Sequence, residues 1–172
     1  MLKLSGAVLL FCSCSGLGFL KSRQYQGRIV QLAELIHIMG FIKGEISFAA
    51  STLPEAMERI SGKTAEPFSG FLYALSQRMR QYSGEDFSHI LGELMKEMLG
   101  DTYLEKQDLE EFYRTACNLG YLDKEMQIHM LEQYLGEQEE KVRTLRAQLP
   151  EKMKLFRSLG ILMGAFLIIL LI

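Results

Sequence analysis

The stretch with the most suggestive chemistry is Ser61-Gly62-Lys63-Thr64, which matches the end of a phosphate-binding loop. That loop needs an earlier glycine, in the pattern G-x-x-x-x-G-K-[ST], and a strand before it so that backbone amides can wrap the phosphates. Met57 stands where the first glycine belongs, and the residues from Ala56 to Ile60 have helical spacing. The tetrapeptide therefore reads as a polar turn. His37, His89 and His129 lie far apart, and none has a second histidine or a cysteine at metal-ligand spacing, so no metal or cofactor is expected. Acidic pairs such as Glu110-Glu111 and Glu139-Glu140 read as solvated helix faces, because adjacent helical positions do not converge on one substrate. Cys117 reads as a small core residue, and with Cys12 and Cys14 inside an apolar segment no disulfide framework is implied. No catalytic set emerges, and the chain is read as a non-enzyme.

The elements around these residues carry more information. Residues from Arg28 to Lys154 show helical spacing throughout and no strand alternation. Ile29, Leu32, Ile36, Met39, Ile42 and Ile46 mark a first stripe. Thr52 and Glu55 have capping-box spacing for a short second helix carrying Leu53, Ala56, Met57 and Ile60. Pro67 opens a third with Phe68, Phe71, Leu72, Leu75 and Met79, and Ser83-Gly84 turns into a fourth with Phe87, Ile90, Leu91, Leu94 and Met98. A fifth carries Leu104, Leu109, Phe112, Ala116 and Leu119, with Gly120 as its stop. Asp123 caps a sixth with Met126 and Met130 inward; its later stripe is Val142, Leu145, Leu149 and Met153, with Pro150 as a candidate bend. The expectation is an all-α six-helix bundle, and the ten methionines serve mainly as core filling.

Both ends are apolar. Ser158 to Ile172 carries no charge and as a helix would run about 22 Å, somewhat short of the ~30 Å hydrocarbon layer. Leu155 and Phe156 extend it, with Arg157 able to snorkel to the headgroups. Leu4 to Leu20 is also uncharged, and it fits either an uncleaved anchor or a secretory signal peptide. The chain thus divides into an N-terminal transmembrane anchor or signal-like segment over 1–21, an acidic helical domain over 22–154, and a C-terminal transmembrane helix over 155–172. Gly160-x-x-x-Gly164 gives the last helix a small-residue face for close packing on this chain, on a copy, or on a partner.

All 21 acidic residues fall between Glu34 and Glu151, against 12 basic residues, so this region carries a net charge of −9. The other seven basic residues lie outside it, and six of them (all but Lys3) sit on the domain side of the apolar ends. By the positive-inside rule the domain is cytoplasmic. So acidic a body is unsuited to nucleic acid, whose phosphates demand a basic surface.

The chain resembles the stage III sporulation protein AB family of endospore-forming bacteria over essentially its full length. The resemblance rests on the opening Met1-Leu2-Lys3-Leu4-x-Gly6-Ala7-Val8, on Glu45-Ile46-x-Phe48 followed by Leu53-x-Glu55-Ala56, and on Ala65-Glu66-Pro67. Leu119-Gly120-x-x-Asp123 and Ser158-Leu159-Gly160-x-Leu162-x-Gly164 complete it. Pro54, which follows Leu53 instead of preceding it, departs from the family pattern. The resemblance implies a domain similar to the six-helix modules of type II secretion F and type IV pilus platform proteins. It further implies a membrane platform in the sporulation channel complex between mother cell and forespore, docking a secretion-type ATPase. Glu45, Glu55 and Glu66 are then candidate contacts for a basic partner surface, although Glu55 and Glu66 equally suit helix starts. The reading from another class is an extracytoplasmic helical adaptor with a cleaved signal and one C-terminal anchor.

Overall fold

The computed structural model describes the backbone of residues 2–48, 52–81, 84–120 and 123–171, and the side chains of 16, 18–48, 52–81, 84–119, 123–156, 158–160, 162–164 and 166. Among the described residues there are six α-helices and no strand: α1 Leu2–Phe48, α2 Leu53–Ser61, α3 Phe68–Arg80, α4 Phe87–Met98, α5 Lys106–Cys117 and α6 Lys124–Leu171. The chain divides into two units, Val30–Val142 and a second made of Met1–Ile29 with Arg143–Ile172.

The Val30–Val142 unit is built on the expected stripes, with changes of phase. On α1 the buried positions are Leu32, Leu35, Ile38, Met39 and Ile42, while Ile36 and Ile46 are half-buried. Helix α2 buries Ala56, Met57 and Ile60; its start is closed by the Thr52–Glu55 capping box, with proline in its first turn where a missing N–H costs nothing. Phe68, Phe71, Leu72 and Leu75 of α3 are buried, and the Phe71 ring meets Phe112 of α5 edge-on at 6.4 Å. Gly84, at φ +72°, supplies the left-handed residue of the turn into α4.

Two expectations about the later helices need correction. Helix α5 stops at Cys117 and tightens into a 3-10 turn over Asn118–Gly120, so the helix ends before the glycine. Asp123 does cap α6, its Oδ1 accepting from the Met126 N–H at 2.9 Å, but Met126 is exposed. The inner face is Leu131, Tyr134, Gln138 and Val142. Gln138 belongs to it because its amide donates to Glu111 at 3.0 Å; an apolar-only stripe places the face one position out of phase.

Within this unit α1 and α6 run antiparallel. Lys43 pairs with Glu132 at 2.9 Å, and the Lys124 ammonium donates to the Ser47 carbonyl at 2.8 Å.

In the other unit the first part of α1 and the last part of α6 are also antiparallel. The Lys152 ammonium lies 5.9 Å from the centre of the Tyr25 ring. Earlier on α1, Gly18 meets α6 later in its course: a Cβ there would lie 2.5 Å from the Phe156 carbonyl oxygen and 3.5 Å from the Gly160 Cα. Pro150 lies inside α6. Among the described residues no helix is long and apolar enough to cross a membrane. The side chains of 1–15 and of 167–172, on which the expectation of terminal anchors largely rests, lie outside the described residues.

Candidate interaction surface

The three glutamates singled out by sequence take different positions. Glu45, on α1, meets the Arg59 guanidinium of α2 at 3.3 Å. Glu55 accepts the Thr52 N–H at 3.0 Å, and this hydrogen bond, together with one from the Thr52 hydroxyl, holds its carboxyl below the usual range. Arg59 is four residues beyond Glu55 on α2, so these two glutamates flank one arginine. Glu66 lies elsewhere, accepting the Gly70 N–H at 3.2 Å at the start of α3. The adjacent Ala65 N–H donates to Glu34 on α1, which is about 21 Å along the helix from Phe48. The structure therefore brings Glu45 and Glu55 together and leaves Glu66 apart.

A cleft of about 290 Å³ opens beside the pair, lined by Ile42, Glu45, Ile46 and Leu53 on one side and Leu119, Lys124 and Gln127 on the other. Its mixed lining suits protein contact better than a small apolar ligand.

A polar cluster joins α5 to α6. Asp108 is fully buried and Lys141 reaches it at 2.8 Å, while Glu111 receives Lys141 at 2.8 Å and Gln138 at 3.0 Å. Burial alone would raise the Glu111 carboxyl, yet hydrogen bonds from Lys141, Gln138 and Gln107 outweigh it and hold the group below its usual range. For Lys141 burial pulls the other way and the two carboxylates win, raising it. Burial, followed by the nearby charges of Glu111 and Asp108, pushes the Tyr134 hydroxyl up. Sequence reasoning missed this cluster; its one trace was a lone lysine, Lys141, directly after the run Glu139-Glu140.

The other candidate chemistry dissolves into structure. Ser61 ends α2, Gly62 and Lys63 form the turn, and Thr64 Oγ1 donates to the Ile60 carbonyl at 2.8 Å. The Lys63 ammonium lies over the Phe41 ring at 5.0 Å, and a helix occupies the place of the required strand. His37 packs on Phe41, and His89 lies 3.9 Å from Glu93. No group of metal-ligating side chains is present among the described residues. Burial raises the Cys117 thiol despite its hydrogen bond with Tyr113, leaving little thiolate for reaction at neutral pH. Gly160 and Gly164 are both buried, and Gly160 faces Gly18 of the same chain.

By fold the chain falls in the all-helical class, with six α-helices and no strand among the described residues. The sequence model of the stage III sporulation protein AB family (spore_III_AB) matches residues 3–172, and the chain belongs to that family. It is 27% identical over 172 residues to stage III sporulation protein AB of Bacillus subtilis (strain 168), covering 99% of both chains. A solved structure titled stage III sporulation protein AB is similar in fold, with a TM-score of 0.65 at 20% identity, covering 72% of this chain and 96% of that one.

Proposed function

We propose that the protein is a non-enzymatic membrane platform subunit of the channel complex between mother cell and forespore. Its helical domain docks a cytoplasmic secretion-type ATPase and passes conformational work to other subunits. It sits in the mother-cell membrane facing the forespore, with both apolar ends inserted. The observation that carries this reading is the charge distribution: an acidic helical body of net −9 between two uncharged apolar ends, each with a basic collar on the body's side. Membership of a sporulation family supports the setting.

Topology is the direct test. A single cysteine is placed at the exposed position Glu97 in a chain with its native cysteines changed to serine. An impermeant maleimide should label it only after the mother-cell membrane is opened. Labelling in intact cells would reverse the orientation and favour the extracytoplasmic adaptor.

A further inference from the structure

We propose that the end of the Val30–Val142 unit where α1 stops and α6 starts is a docking surface centred on Phe48, for a protein partner offering an apolar pocket ringed by lysine or arginine. Phe48 lies in the last turn of α1 and is 95% exposed, more than any other large apolar side chain among the described residues. Met126, in the first turn of α6, is also exposed. The Lys124 contact with the Ser47 carbonyl ties these two helix ends together. Scattered exposed apolar residues are ordinary on a protein surface. Here the exposed ring follows directly on the helical turn whose Glu45 and Ile46 line the cleft, and Lys124, two residues before Met126, lines it from α6, so ring, thioether and cleft belong to one end of the unit.

Charge selects the occupant. Glu45, Glu55, Asp123 and Glu125 outnumber Arg59 and Lys124 at this end, and the Glu58–Arg80 pair beside them is neutral. An anionic lipid surface is repelled by that field, and the tip lies about 27 Å along α1 from Val30, where the chain leaves the unit. A basic-rimmed protein surface is attracted, with aromatic insertion at the centre and charge at the rim. Under the function proposed above, on which this identification of the partner rests, that surface belongs to the ATPase.

Binding of the full-length chain in vesicles to the purified secretion-type ATPase of the same organism tests this. Phe48→Asp should weaken binding at least about ten-fold, as expected for a central aromatic contact. Tyr73→Asp, at an exposed aromatic of α3, should leave it unchanged, and Glu125→Lys should weaken it and flatten its salt dependence. Far-UV circular dichroism should match across the variants, since both aromatic side chains are exposed. Wild-type binding undiminished by Phe48→Asp would overturn the docking surface and leave the platform reading standing. Absence of wild-type binding would overturn that reading, and this partner with it.

Discussion

Asp108 carries a fully buried side chain in a family whose name promises no chemistry, and its partners explain why it is tolerated. Lys141 neutralises it at 2.8 Å, and its carboxylate also accepts the Glu105 N–H at 2.9 Å, completing the cap of α5. Removing one member of a buried pair leaves the other charge uncompensated, which costs about 3 kcal/mol. Lys141→Met should therefore lower the urea midpoint of the chain by that equivalent, whereas Lys106→Met, at an exposed i,i+4 pair with Glu110, should change it little. The same cluster sets a pH dependence. Glu111 has a folded pKa below its ordinary 4.5, so its contribution is fully present above that value and is lost as pH falls through the lowered one. Urea midpoints measured downward from pH 6 should show this loss, and Lys141→Met should reduce it. None of this was legible in the pair Glu110-Glu111. Glu110 faces solvent as expected, but Glu111 is half-buried, because α6 brings Lys141 and Gln138 to it from about thirty residues away.

At the scale of elements, short-range rules carried well and phase carried less well. The Thr52–Glu55 box is a four-residue pattern closed entirely by local hydrogen bonds, and it stands in the structure as its spacing implies. Thr52→Ala should cost about 1 kcal/mol, read as a shift in thermal midpoint. The phase of α6 was harder to read, since the inward position is held by a glutamine whose amide nitrogen finds its acceptor, Glu111, only across the α5 interface. In the Met1–Ile29 and Arg143–Ile172 unit, the close approach depends on Gly18, which the sequence reading passed over in favour of Gly160 and Gly164. Any side chain at 18 meets the Phe156 carbonyl at once, so Gly18→Leu should push the two helices apart. The expected cost is about 2 kcal/mol, measured as a lower midpoint of the detergent-solubilised chain. Gly16, two residues away, has open space at its Cβ position, and Gly16→Ala should be tolerated.

At the scale of the whole molecule, the division into two units predicts that a chain of residues 30–142 folds alone. Its core is contributed by all six helices. Cooperative thermal unfolding of that fragment, with helical circular dichroism, is the expected result. The helical class, the Thr52–Glu55 and Asp123 caps, the acidic body and the basic collars were already fixed by residue type and order. They depend on intervals of three or four residues, or on charge counts that need no coordinates. The tertiary structure alone decided which polar residues are buried, that Glu45 and Glu55 flank one arginine while Glu66 stands apart, and that Phe48 is left uncovered at a helix end. Those facts depend on contacts between different helices, and the geometry of such contacts is set by packing, on which local periodicity is silent.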